Sequence, residues 1–104
     1  MSNINKLANK IDAVYAKYKL DHIDVLMLGV LSQEWDANRD VRVTDMTLRF
    51  GKSFASPANI HYRLTKDLVK LQMVRLKASK EDARVKFVIK GCKFDVMDKY
   101  LGGA

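Results

Sequence analysis

Apolar residues recur at helical spacing along the first eighteen positions. Ile4, Leu7, Ala8, Ile11, Val14, Tyr15 and Tyr18 follow the i, i+3, i+4, i+7 pattern of an amphipathic helix over 3–18. Ser2 or Asn3 is expected to cap it. Asp21 is placed to cap a second helix from about 22 to 36. Ile23, Val25, Leu26, Met27, Leu28, Val30 and Leu31 make that helix apolar almost all round, the pattern of a buried central element. Trp35 near its end is expected in the core, because one indole buries a large area in a small protein.

A polar connection, 37–40, leads to Val41-Arg42-Val43, whose alternation and β-branching predict a short strand. Thr44 is expected to cap a short helix over 45–51, with Met46, Leu48 and Phe50 as core residues. A turn over 51–55 precedes the clearest helix start in the chain. Ser56 supplies a capping hydroxyl, and Pro57 occupies the first helical position, where a missing N–H costs nothing. Over 56–71, Ile60, Leu64, Leu68 and Leu71 fall on one stripe. Ala58, Asn59, Tyr62 and Lys66 lie on the opposite side, with Arg63 and Lys70 flanking them.

The period then changes from helical to alternating. Val74, Leu76 and Ala78 share one predicted strand face and Arg75, Lys77 and Ser79 the other. After a charged turn, 80–83, a second strand is expected with Val85, Phe87 and Ile89 inside and Arg84, Lys86 and Lys90 outside. Phe94, Met97, Tyr100 and Leu101 mark a short last helix, stopped at Gly102-Gly103. This order (α-α-β-α-α-β-β-α) predicts a mainly α fold with a small β-hairpin: a winged helix-turn-helix. The expected unit is one domain over 1–104, with the helix-turn-helix at about 44–71, the wing at about 73–90, and terminal helices at 3–18 and 92–101. No internal repeat, low-complexity tract or linker interrupts it.

Charge adds a direction to this picture. The net charge is +7, but residues 39–93 hold 14 Lys/Arg against five Asp/Glu, whereas 1–38 and 94–104 are each slightly acidic. A basic block around the proposed helix-turn-helix favours a polyanion, through release of counterions from phosphates. Double-stranded DNA is the expected partner, with helix 56–71 in the major groove and the hairpin on the adjacent backbone. Tyr62 is then a base or sugar contact, or stacks on its neighbours. Arg63 and Lys66 read guanine or bind phosphate, and Arg suits guanine better through its planar fork. Asn59 bonds adenine or helps to cap the helix. Thr44 caps its helix or meets phosphate. Ser56, Pro57 and Lys70 complete the helix contribution. Arg75, Lys77, Arg84 and Lys86 are expected phosphate contacts of the wing. His61 is expected near the core edge, packed or capping, with DNA contact as the alternative.

Two stretches, with the wing between 82 and 84, resemble MarR-type winged-helix transcriptional regulators. Val43-Thr44-Asp45-Met46 with Ser56-Pro57-Ala58-Asn59-Ile60-His61 is similar to the family's V-T-D-L … S-P-A-T-I-H run. Leu68-Val69-Lys70-Leu71-Gln72-Met73-Val74 is similar to L-x-x-L-G-L-I, with Gln72 in place of the usual Gly. Asp82-Ala83-Arg84 matches D-x-R, which implies that Asp82 fixes the wing and Arg84 reaches a phosphate or the minor groove. The resemblance covers about 20–101. It implies transcriptional control in a prokaryote or phage. It also implies a homodimer through the N- and C-terminal helices, although the last helix is short beside the long ones of many relatives. A dimer would face an inverted repeat with half-sites about one helical turn apart.

Other classes have little support. No phosphate-binding loop, zinc-protease or nucleophile-elbow motif is present, so an enzyme is not expected. His22, His61 and Cys92 lack metal-ligand spacing, and no cofactor is implied. Cys92 reads most simply as a small buried apolar residue, with redox sensing as the alternative; as a lone cysteine it forms no internal disulfide and suits a reducing cytoplasm. No apolar run approaches the roughly 20 residues of a membrane span, and the N-terminus lacks the apolar core of a secretory signal. A cytoplasmic, nucleoid-associated protein is expected, with no effector pocket legible. The rival readings are a winged-helix adaptor for an acidic protein and a nucleic-acid accessory protein without a sequence code.

Overall fold

Helix α1 (Asn3–Tyr18) starts as expected in the computed structural model, which describes residues 2–102. The Asn5 amide donates to the Ser2 hydroxyl at 3.2 Å. The expected apolar stripe is real, but only Val14 is buried. Ile11 and Tyr18 are half-buried, while Ile4, Leu7 and Tyr15 face solvent. The first half of α1 projects as an arm from a molecule measuring 50 × 28 × 24 Å. Its second half is anchored on α6 (Phe94–Gly102) by an edge-on Tyr18–Tyr100 pair at 5.9 Å. The Lys17 ammonium lies 4.2 Å from the Tyr100 ring centre. The predicted stop at Gly102-Gly103 comes later than expected, since Gly102 is still helical, and Gly103 lies outside the described residues.

Lys19 ends α1 in the left-handed region, and Asp21 caps α2 (His22–Asp36). The Asp24 amide donates to Asp21 Oδ1 at 3.0 Å, and the Asp21 amide donates back to Asp24 Oδ2 at 3.2 Å. Two orphan donors of the helix start are thus satisfied reciprocally. Ile23, Met27, Leu28 and Leu31 of α2 are buried, whereas Leu26 is exposed. Trp35 is only partly buried: its indole N–H donates to the Val88 carbonyl at 3.1 Å, and its ring meets Phe94 edge-on at 5.2 Å.

Three expectations around residues 41–50 are corrected. The predicted strand shrinks to a bridge between Arg42 and Phe87, with the Val88 amide donating to the Val41 carbonyl at 2.7 Å. Because that bridge holds Arg42 extended, α3 (Val43–Phe50) begins at Val43, and Arg42, not Thr44, is the capping position. Asp45 reaches back to accept from the Arg42 amide at 3.0 Å. The inner stripe is Val43, Met46 and Phe50, so Leu48 falls outside it and is 81% exposed.

The rod predicted over 56–71 forms in three consecutive pieces. These are α4 (Pro57–Tyr62), a π-helical stretch (Arg63–Asp67) and a last turn, α5 (Leu68–Lys70). Ser56 caps it, accepting from the Asn59 amide at 3.1 Å. Ile60, Leu64 and Leu68 are fully buried in the centre of the core, and Leu71 is half-buried.

Strands β1 (Val74–Ala78) and β2 (Lys86–Lys90) form an antiparallel hairpin whose phase differs from expectation. Val74 pairs with Lys90, Leu76 with Val88, and Ala78 with Lys86. Val88, not Phe87 or Ile89, is therefore the buried residue of β2, sharing its face with buried Val74. Lys86 and Lys90 alternate with Val88 on that inner side, while Phe87 and Ile89 sit beside Lys77 and Arg75. A slip of one residue exchanges the faces of a strand, and both phases of Lys86–Lys90 contain apolar residues.

Gln72 takes a left-handed conformation (φ 63°), the geometry for which a glycine is usual. Opposite it, Gly91 packs so closely that an added Cβ would lie 2.2 Å from the Gln72 carbonyl oxygen. The Gly91 amide donates to the Met73 carbonyl at 3.0 Å. Gly91→Ala must push these two backbones apart, and we expect a loss of about 2–3 kcal/mol in chemical denaturation. An alanine variant as stable as the parent would contradict this close approach. Cys92, expected buried, is exposed; its thiol donates to Gln72 Oε1 at 2.9 Å.

Candidate nucleic-acid interface

The buried Ile60–Leu64–Leu68 stripe fixes which side of the 57–70 rod faces outward. Ser56, Pro57, Ala58, Asn59, His61, Lys66 and Lys70 are all exposed, and Tyr62 is 57% exposed. His61 was expected at the core edge; its side chain instead reaches solvent, because it lies one residue past the buried Ile60. Lys66 and Lys70 form no ion pair among the described residues. This side thus offers hydroxyl, amide, phenol and ammonium groups.

Arg63 departs from the expected outward flank. Its guanidinium turns toward the start of α2, and the side chain is 18% exposed. Nη1 donates to both carboxylate oxygens of Asp21, at 2.7 and 2.8 Å, and to Asp24 Oδ1 at 3.2 Å. Nε donates to Asn59 Oδ1 at 2.7 Å. Arg63 is therefore a brace between α2 and the outward rod, not a group available to a base. Burial and the neighbouring Asp21 charge raise the pKa of Asp24. Burial also opposes ionisation of Asp21, but hydrogen bonds from Arg63 and the Asp24 amide outweigh it and leave that carboxyl below its usual range.

Beside the rod lies a recess of about 180 Å³, lined by Arg42, Thr44, His61, Thr65, Arg84 and Lys86 among others. It brings together the start of α3, the rod and the base of the wing. Lys86 reaches it because of the corrected strand phase, whereas Arg75 and Lys77 lie on the other face of the hairpin. The four wing cations expected together are thus divided. Arg75 is engaged with the Lys90 carbonyl at 3.4 Å.

Asp82 accepts from the Arg84 amide at 3.0 Å and from its Nε and Nη2 at 3.2 Å. These bonds hold the Asp82 carboxyl below its usual pKa and close the wing turn, while the Arg84 side chain remains 91% exposed. Asp45 is likewise lowered, by hydrogen bonds from Arg42. The recess therefore combines paired guanidinium groups, the Lys86 ammonium, which forms no ion pair among the described residues, an imidazole and the Thr44 hydroxyl, the Thr65 hydroxyl being donated to the His61 carbonyl at 2.8 Å. Such a donor-rich surface suits phosphate oxygens. Sequence reasoning missed Arg42 and Thr65; the basic block contains Arg42, but only the Arg42–Phe87 bridge shows that it borders the wing.

Among the described residues no cluster of His, Cys, Asp or Glu is placed to hold a metal ion, and no helix is long and apolar enough to cross a membrane.

A helix-turn-helix followed by an antiparallel hairpin defines the winged-helix class, and the fold is that one. Among solved structures, the chain is similar to the adhesin competence repressor AdcR from Streptococcus pyogenes. The TM-score is 0.61 at 22% identity, over 96% of this chain and 68% of that one. It is also similar to the apo, heme-free form of PefR, with a TM-score of 0.52 at 17% identity over 97% and 90% of the two chains. No protein-family profile matches the sequence, and no curated protein matches it. At these identities the likeness establishes the fold.

Proposed function

We propose that this chain is a MarR-like regulator of transcription that binds double-stranded DNA in a sequence-dependent way. The observation that carries this reading is the exposed Asn59–Tyr62–Lys66 side of the rod, continuous with the cationic recess at Thr44, Arg84 and Lys86. The rod would enter the major groove, with Asn59, Tyr62 and Lys66 toward the bases. Ser56 and Pro57 would set the entry of the rod, and Lys70 would meet phosphate farther along. Thr44, Arg84 and Lys86 would hold the backbone beside the groove, with Arg75 and Lys77 as more distant electrostatic contacts. A neighbour in fold that is named a repressor supports the regulator reading.

The arm of α1 supplies a second element. Ile4 and Leu7 are exposed along its stripe, with half-buried Ile11 next on it. A homodimer formed through α1 and α6 would cover them and would present two rods to an inverted repeat. The whole described chain would then act as one DNA-binding unit in the nucleoid.

Salt dependence of duplex binding tests the reading. Four or more phosphate contacts per protomer predict that affinity falls by at least about a hundredfold from roughly 50 to 200 mM salt. Lys86→Ala should weaken all sequences alike and reduce the salt slope by about one. Affinity for an acidic protein with no measurable duplex binding would replace this function with the adaptor reading.

A further inference from the structure

The brace at Arg63 bears on how Asn59 presents itself to a base; this inference rests on the duplex-binding reading above. Arg63 carries only N–H donors, so the Asn59 atom that it meets at 2.7 Å is the amide oxygen. Arg63 is itself fixed from behind by Asp21 and Asp24. The Asn59 backbone N–H is held by the Ser56 hydroxyl. Main chain and side chain of Asn59 are therefore both oriented before any ligand arrives. Its oxygen is drawn back toward α2, which leaves the NH2 group as the part offered outward.

An asparagine free to rotate reads adenine with both ends of its amide, accepting from N6 and donating to N7. With its oxygen turned back toward the guanidinium and one of its two lone pairs filled, Asn59 turns its NH2 donors rather than its acceptor to a base. Guanine offers two acceptors in the major groove, O6 and N7, whereas adenine sets its own N6 donor against the amide donors. We propose that the Asp21/Asp24–Arg63 brace makes Asn59 read through its NH2 donors and select guanine over adenine at the base it faces. Arg63 is the positioning residue and Asn59 the specificity determinant. The expectations from sequence, Asn59 bonding adenine or helping to cap the helix and Arg63 reading guanine or binding phosphate, give way to this assignment.

The test is selection of bound duplexes from a random pool by the full chain and by Asn59→Ala, Asn59→Asp and Arg63→Met. Affinities are then measured for the preferred duplex with single-base replacements. The parent should prefer guanine to adenine by about tenfold at the base pair whose preference Asn59→Ala abolishes. Replacing that guanine by 7-deazaguanine, which lacks the N7 acceptor, should weaken parent binding and leave Asn59→Ala unaffected. Asn59→Asp, an acceptor only, should shift the preference to a base that presents an amine. Arg63→Met frees the Asn59 oxygen and should admit adenine at the same position. If that variant fails to fold, the Asn59 variants and the 7-deaza duplex still decide the matter. A parent that prefers adenine there, or an Asn59→Ala variant with the parent's guanine preference, overturns the inference while duplex binding stands. A parent that binds no duplex overturns the DNA-binding reading itself.

Discussion

Leu64→Ala should lower the stability of the chain by about 2–5 kcal/mol, much of the 5–15 kcal/mol available to a small domain. Leu64 is fully buried and lies in the π-helical stretch, between Ile60 and Leu68 on the stripe that attaches the rod to the core. Removing its isobutyl group loses transfer free energy and leaves a cavity that the other buried side chains of the core can fill only in part. Thermal or denaturant unfolding followed by circular dichroism measures the effect. Leu48→Ala provides the contrast: Leu48 is largely exposed, so its change should stay within about 0.5 kcal/mol. Equal losses at the two leucines would mean that the burial pattern of the helix-turn-helix is wrong.

Arg63→Met should cost about 2–3 kcal/mol near neutral pH, and the cost should shrink in acid. Breaking a buried ion pair from one side leaves an uncompensated charge, a penalty of about 3–5 kcal/mol when burial is complete. Here Asp24 is buried but Asp21 is partly exposed, which reduces it. In the parent, the depressed pKa of Asp21 contributes stability that is present above the ordinary aspartate value and is lost as pH falls through the folded value. The raised pKa of Asp24 acts oppositely, as a penalty relieved as pH falls. Without Arg63 both carboxyls lose a partner that favours ionisation, so both folded pKa values move up. The variant then binds protons on folding, and its stability rises as pH drops toward the ordinary aspartate range. The gap from the parent should therefore be widest near pH 7 and narrow toward pH 4 in parallel denaturation curves. A gap that stays constant with pH would show that Arg63 matters through its aliphatic stem alone.

The parts of the fold governed by local chemistry were legible in the sequence. Ser2, Asp21 and Ser56 cap their helices because a short oxygen-bearing side chain before an apolar period has few other uses. The Ile60–Leu64–Leu68 stripe gave the inward side of the rod, and with it the exposure of Asn59, Tyr62 and Lys66. What escaped depended on partners distant in sequence. Asp21 and Arg63 are 42 residues apart, and nothing local to Arg63 distinguishes a brace from a base contact. Val88 is inside because β1, α2 and the Val41 carbonyl converge on its segment, while β2 taken alone is apolar in either phase. Thr44 lost its capping role to a bridge formed with the wing. On α1 the period predicted the helix correctly, but period alone does not supply a body to cover it: Ile4 and Leu7 remain in solvent.

Backbone amide shifts recorded during titration with the preferred duplex test the central claim most directly. The account predicts that perturbations concentrate at 56–66, at 42–44 and at 82–86, and that they fade as salt is raised. Perturbations confined to the α2–α6 surface, with residues 56–66 unmoved at saturating duplex, would contradict it.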